Sequence, residues 1–287
     1  MHTTADRYPA ERWIAILKQK NMKITALTSF CVDFYPEQDK VFVGGNSLNF
    51  ATQCKLSGID GISVIGAVGN DRFGELIVHH LDRMKINHSH LYKIEETTAS
   101  NNIFINQEGD RYFKADSWNG GAFDVFRLSE NDWGHIADSS VIAMPAGDPN
   151  LQELLKRRNK NQLVVIDFLD YFGVDQIKQH IDSIDIVFLS GRKDMLGDLR
   201  DLSAQSGKMI VATMGAEGSI AFFRRKEFYS PAIEVDAIID TTGCGDAFQA
   251  AFCIEWVRTK DMDQSLSAGS VAASKVLRFM GGVEQFF

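Results

Sequence analysis

Hydrophobic positions along this chain switch between two periods. From Met22 onward, short runs of almost uninterrupted apolar residues are followed by stretches in which apolar residues return every three or four positions. Runs of the first kind are expected as strands buried on both faces, and stretches of the second kind as helices packed along one face. The pattern predicts strands at 24–32, 62–68, 141–144, 163–167, 184–189 and 209–213, with a short extended piece at 41–43. It predicts helices at 47–56, 71–84, 151–158, 174–180, 197–206, 245–258 and 262–280. Gly58 ends the first of these, and Asp71 opens the second with an acidic N-terminus. Strands alternating with helices imply an α/β fold around a largely parallel sheet.

Two stretches depart from that rhythm. Residues 91–94 read as extended, and 98–106 and 110–114 flank a polar turn at 107–109. This is a hairpin inside an α/β chain, either a small flap over an opening or an extension of the sheet edge. A second hairpin is expected at 219–223 and 227–230, around the basic turn 224–226. Residues 1–21 read as an N-terminal extension with one helical candidate at 11–18, either packed at the periphery or disordered. No low-complexity linker or repeat divides 22–287, so one domain with a β lid at roughly 91–115 is expected.

Composition excludes classes without naming an activity. A chain of 287 residues with 45% hydrophobic and 24% charged positions is neither a disulfide-stapled miniprotein nor wholly disordered. The net charge of -8 argues against broad contact with nucleic acid or anionic membrane, which needs clustered Lys and Arg. Cys31, Cys54, Cys244 and Cys253 make no CxxC pair or zinc spacing, so free thiols in a reducing, cytoplasmic setting are expected. No stretch approaches the roughly 18 apolar residues of a membrane span. The first 21 residues lack the basic leader and cleavage site of a secretion signal.

The glycines carry more than their number. In the segment 238–250, IIDTTGCGDAFQA, an apolar run stops at Asp240 and a helix starts after Gly243-Cys244-Gly245. Glycine permits a tight turn with outward N–H groups, and free N–H groups at a helix start attract an anion. Asp246 then sits in the first helical turn. It is either an acidic cap, or a base that takes the proton of a nucleophilic hydroxyl beside the anion cradle. In 43–51, VGGNSLNFA, Gly44 and Gly45 precede Asn46 and Asn49, amides that suit polyol hydroxyls or serve as helix caps. Asp33 lies just past the first strand, where open α/β sheets bind ligands. The turn GAVGNDRFG at 66–74 carries Arg72, for substrate charge or for the surface. The turn TMGAEGS at 213–219 is placed to border a nucleotide.

These motifs in this order resemble those of the ribokinase-like (pfkB-type) carbohydrate kinases, over about residues 22–284. GGNSLNFA resembles the family's amino-terminal substrate motif, and DTTGCGDAF its carboxy-terminal signature. The resemblance implies a three-layer sandwich with a central, mostly parallel sheet and an inserted β lid. It implies transfer of the γ-phosphoryl of ATP to a sugar hydroxyl, with Mg²⁺ and in some members K⁺. Asp246 falls on the catalytic base, and the amides of Gly243, Cys244 and Gly245 fall on the anion hole. Asp33, Gly44, Gly45, Asn46 and Asn49 would hold the sugar, with Asn101, Ile103 and Phe113 closing over it. Thr213, Gly215, Gly218, Thr242, Gly243, Gly245 and Ser274 would border the nucleotide. Asp194 and Asp240 are the metal candidates, Asp240 for a monovalent cation and Asp194 because the family's Asn-x-x-Glu is here Ser190-Gly191-Arg192-Lys193. Within the family, CVDFYP, GGNSLNFA and ASKVLRFMGG resemble members acting on the C6 hydroxyl of fructosamines. Fructose and 2-keto-3-deoxygluconate stand as alternative acceptors, and a non-catalytic sugar-binding module as the alternative to an enzyme. Trp118, Asn119 and Asp116 either line an outer pocket or pack a loop. The lid is a candidate homodimer surface.

Overall fold

The computed structural model describes residues 22–284. The extension 1–21 and its helical candidate lie outside the described residues. The strands are β1 (Ile24–Leu27), β2 (Cys31–Tyr35), β3 (Lys40–Gly44), β4 (Ile62–Gly69), β5 (Asn87–Ile94), β6 (Ala99–Asn102), β7 (Phe104–Ile105), β8 (Arg111–Tyr112), β9 (Trp118–Asn119), β10 (Val141–Pro145), β11 (Leu163–Asp167), β12 (Ile186–Ser190), β13 (Met209–Thr213), β14 (Ser219–Phe223) and β15 (Lys226–Ser230). The helices are α1 (Asn46–Leu56), α2 (Arg72–Met84), α3 (Gly121–Val125), α4 (Glu130–Ala137), α5 (Leu151–Arg157), α6 (Val174–His180), α7 (Leu196–Ser206), α8 (Cys244–Thr259) and α9 (Met262–Val276).

Nine strands form the main sheet in the order β15-β14-β13-β12-β11-β10-β1-β4-β5. Pairing is parallel from β13 to β5 and antiparallel for β14 and β15. Its central strands are buried along their whole length, as for the eight residues ISVIGAVG of β4. That is why they read as unbroken apolar runs. One face packs α1, α8 and α9 around Phe188, Phe248 and Phe252, whose rings meet at 5.3–6.4 Å. The other face packs α4, α5, α6 and α7 through Ile136, Leu154, Ile177 and Leu199. The result is the three-layer sandwich that the resemblance implied.

The connections reverse direction around β1. The chain leaves β1 to build β4 and β5 on one side, then returns to build β10, β11 and β12 on the other. Ligands bind at the carboxyl ends of strands beside such a reversal. The second sheet, in the order β3-β2-β6-β9, and the small β7–β8 hairpin grow from this same end.

Three expectations are revised here. The predicted strand 24–32 is two strands in two sheets. Thr28 takes a left-handed φ of 74°, unusual for a β-branched residue, and turns the chain out of the main sheet after Leu27. Residues 91–94 belong to β5, paired in parallel with β4, and so to the edge of the main sheet; the lid instead recruits β2 and β3. The last helix ends at Val276 rather than 280. Among the described residues, no helix is long and apolar enough to cross a membrane.

Candidate active site

Period 2 in β2 sends Cys31, Asp33 and Tyr35 to one face and Val32 and Phe34 to the other. Phe34 meets Phe73 edge-on at 5.1 Å. Asp33 pairs in register with Asn101 of β6, so both stand on the lid wall. The Asp33 carboxylate lies over Gly44, where a Cβ would fall 1.9 Å from its oxygen. Gly45 has φ 103° and faces the Ser29 carbonyl at 2.5 Å from where its Cβ would be. Only glycine fits both demands at position 45.

Asn46 and Asn49, on the first turn of α1, reach across to α8. Asn46 Nδ2 donates to Asp246 Oδ1 at 2.7 Å and to Asp167 Oδ2 at 2.7 Å. Asn49 Nδ2 donates to Asp246 Oδ2 at 2.8 Å. Gln249, one turn after Asp246, donates to Asp167 Oδ2 at 2.6 Å. Asp246 is 9% exposed. Burial, and then the like charge of Asp167, push its carboxyl up to about 7. Burial pushes Asp167 up as well, against its bonds to Leu169, Gln249 and Asn46. Burial raises Asp33 to about 7, opposed by the charge of Arg111. Asn49 Oδ1 and Asn101 Oδ1 are buried with no protein partner. Buried amide oxygens of that kind are unusual in a finished core and suit hydroxyl donors.

The start of α8 is an anion cradle. Gly243 takes a left-handed φ of 78°. Cys244 N donates to Thr241 O at 3.3 Å, and the first amide to bond back along the helix is Ala247 N, to Gly243 O at 2.9 Å. Among the described residues, the amides of Gly245 and Asp246 meet no acceptor. Of the expected set of Gly243, Cys244 and Gly245, the amides of Gly243 and Gly245 are free in the same sense, and only that of Cys244 is turned back to Thr241 O. Burial pushes the Cys244 thiol up to about 12, so it stays protonated as a small packing side chain.

A clasp of distant segments fixes this cradle. Asp240 is fully buried. Its Oδ1 accepts from Thr242 N at 2.8 Å. Its Oδ2 accepts from the Tyr35 hydroxyl at 2.6 Å and from Gly281 N at 2.8 Å. Gly282 lies beneath both Gly243 and Asn49. A Cβ on Gly243 would fall 2.4 Å from Gly282 Cα, and a Cβ on Gly282 would fall 2.3 Å from Asn49 Nδ2.

The other expected residues are more scattered. Thr213 ends β13 beside Ser190 of β12, and Gly215 and Gly218 both take positive φ in the following turn. Thr242 is buried and accepts from Tyr35 at 3.2 Å. Ser274 bonds Val271 O within α9, whose neighbouring Ala273 carbonyl accepts from Cys244 Sγ at 3.7 Å. Ile103 packs in the lid's own core with Tyr35 and Phe42. Phe113 is exposed beneath the Arg111 guanidinium, 5.4 Å from the ring centroid. Trp118 is exposed and touches Phe123 edge-on. Asp194 has 72% of its side chain exposed and pairs with Arg192 at 3.3 Å. Among the described residues, no group of three or more His, Cys, Asp or Glu is arranged as a metal cage. Mg²⁺ is commonly held by one or two carboxylates, waters and phosphates, so the carboxylates present fit it without a cage. Sequence reasoning missed Asp167, Gln249, Tyr35 and Arg111. The carboxyl-end position of Asp167 on a parallel strand was the available signal.

Comparison with known proteins bears on this arrangement. Residues 14–284 match the model of the pfkB family carbohydrate kinases. The chain is 27% identical to the fructoselysine 6-kinase of Escherichia coli K12, over 88% of this chain and 95% of that protein. It is also 27% identical to a fructosamine kinase of Bacillus subtilis, over 91% and 92%. The nucleoside kinase of Methanocaldococcus jannaschii superposes with a TM-score of 0.73 at 22% identity, covering 91% of this chain and 93% of that one. Ribokinase of Arabidopsis thaliana, solved with ribose and ATP, superposes with a TM-score of 0.75 at 19% identity, covering 91% and 94%. These two likenesses show the fold.

Proposed function

The chain belongs to the pfkB family of carbohydrate kinases and is an ATP-dependent kinase of sugars or sugar-amines; on that premise we propose that its acceptor is a fructosamine, phosphorylated on its primary C6 hydroxyl. The observation that carries the reading is the junction of Asp246 with Asn46 and Asn49 at the free amides of α8. Asp246 takes the acceptor proton as the hydroxyl oxygen attacks the γ-phosphorus. The bond to the β–γ bridging oxygen breaks, and ADP leaves. The Gly245 and Asp246 amides face the charge that builds on the phosphoryl oxygens. Asn49 and Asn101 offer free amide oxygens to sugar hydroxyls, and Asp33 a carboxylate beside them.

Mg²⁺, when bound, neutralises phosphate charge. The carboxylates of Asp167 and Asp246 are buried and joined through Asn46, and Asp194 is exposed and paired with Arg192. A monovalent cation at Asp240 competes with three hydrogen-bond donors for the remaining lone pairs, and comparing turnover in K⁺ and in Na⁺ checks it. The similarity to kinases of fructoselysine and fructosamine, over nearly their whole length, supports the acceptor class. Exposed Tyr112, Phe113 and Trp118 support a homodimer through the lid. We place the enzyme in the cytoplasm with its substrates, ATP and a small amine-bearing sugar.

The test is a coupled ADP-release assay with Mg²⁺ and K⁺ over fructosamines, fructose, 2-keto-3-deoxygluconate and nucleosides. The highest kcat/KM is expected for a fructosamine. A preference for a plain ketose, sugar acid or nucleoside overturns the acceptor assignment.

A further inference from the structure

We infer that residues 11–18 of the N-terminal extension dock as a helix in the groove on the outer face of α8 and α9.

The groove has a volume of about 570 Å³ and is lined by Ser57 after α1, by Glu255 of α8 and by Asp263, Ala268, Val271 and Lys275 of α9. Val271 is 40% exposed, and Leu56, the last residue of α1, is 52% exposed beside Ser57. Exposed apolar surface rimmed by charge marks a contact. Its two ends differ in sign. α1 and α8 both start at the site, where Asn46 donates to Asp246. They therefore end together on the far side of the molecule, at Leu56 and Thr259. α9 starts there and returns until its Ala273 carbonyl meets Cys244 at the start of α8. Glu255 and Asp263 thus mark the far, acidic end. Lys275 marks the end nearer the site, about 18 Å along α9 from Asp263.

The described chain enters at the acidic end. Ile24 of β1 pairs with Ile62 of β4, and Ile24 N donates to Gly61 O at 2.8 Å. A Cβ on Gly61 would fall 2.4 Å from the Met22 carbonyl oxygen. Residues 57–61 are the turn that joins α1 to β4, so its first residue lines the groove and its last touches Met22. Met22 itself packs on the core beneath α9, which includes Met262 and Leu266. Lys18 is four residues before Met22, a reach of at most about 14 Å.

The extension matches the groove in pattern and in charge. At about 100° per residue, Ile16, Trp13, Leu17 and Ile14 fall in one arc of about 160°, with Glu11, Arg12, Ala15 and Lys18 outside it. A helix of eight residues is about 12 Å long and marginal in water by itself, so it needs a surface on which to bury that arc. Tethered through its C-terminal end, it sets Lys18 and Lys20 beside Glu255 and Asp263 and points Glu11 toward Lys275. The reverse orientation would carry Lys18 to the Lys275 end, farther along α9 than residues 19–21 reach. The extension then ties the entry of β1 to α8, the helix whose first turn holds Asp246.

The test is hydrogen exchange together with photo-crosslinking in the full chain. Amides 11–18 are expected to exchange at least about tenfold more slowly than in the isolated 1–21 peptide. Ala268→Gln with Val271→Gln, which changes only the groove, should return them to the peptide's rate while the amides of β10 and β11 stay protected. Trp13→Ser with Leu17→Ser, which changes only the extension, should do the same. p-Benzoylphenylalanine in place of Trp13 should cross-link to residues 251–275 of its own chain, at a yield independent of protein concentration. Peptide-like exchange in the wild-type chain, or protection that neither pair of changes moves, overturns the inference. So does a cross-link confined to other residues, or one between chains whose yield rises with concentration, which would make the groove a surface for a second copy.

Discussion

Asp246 is held at the edge of ionisation. Both of its oxygens accept from asparagine amides, yet burial and Asp167 keep its carboxyl near 7. The proposed mechanism requires the base form, so kcat/KM should fall about tenfold per pH unit below that value and level off above it. Asp167→Asn removes the like charge, and the acid limb should then move to lower pH. An unmoved limb would assign it to another group. Folding linkage runs the opposite way. The folded state holds more protons than the unfolded one between the ordinary carboxylate range and about 7, so this residue lowers stability as pH rises through that window. Asp246→Asn should therefore abolish turnover while its Tm at pH 8 equals or exceeds that of wild type. A Tm fall of many degrees would make Asp246 structural instead. Asp33, Asn46, Asn49 and Asp246 were legible because short motifs announce them. Asp167 and Gln249 were not, because their meaning lies in a bond across 82 positions of sequence.

At the scale of elements, apolar runs predicted the parallel strands well, since full burial leaves an uninterrupted signature. The same property hid the break at Thr28, where two consecutive strands are buried in different sheets. β5 was harder, because the sheet edge leaves NHSHLYKI only partly buried and mostly polar. α4 had a readable start in the capping box of Ser129 and Asp132, which no apolar period accompanies. The β14–β15 turn shows sequence and geometry at odds. Arg224 and Arg225 both take left-handed φ, 52° and 60°, in a two-residue hairpin loop that favours Asn-Gly. Replacing them by Arg224→Asn with Arg225→Gly should stabilise the protein by about 1 kcal/mol. A rise in urea midpoint at unchanged kcat checks it, and an unchanged midpoint counts against the strain.

The whole molecule assembles its site from both ends of the described chain. Asp33 comes from the first lid strand, the two asparagines from α1, Asp167 from the middle of the sheet and Asp246 from α8. The closing turn at Gly281 and Gly282 supports them through Asp240, Gly243 and Asn49, and Val283 is fully buried in the main core. No local window of sequence shows that a glycine pair after the last helix belongs to the site. A chain ended after Val276 keeps every side chain of the proposed mechanism, and it is expected to lose acceptor-dependent turnover by at least about 10²-fold. Turnover within a few fold of the full chain would refute that support. The arrangement also gives synthesis a built-in finishing signal. A nascent chain emerges with the proposed base and the asparagine amides before the turn that seats them, so a product terminated ahead of that turn is expected to be a poor consumer of ATP. Competence arrives with the final few residues of the fold.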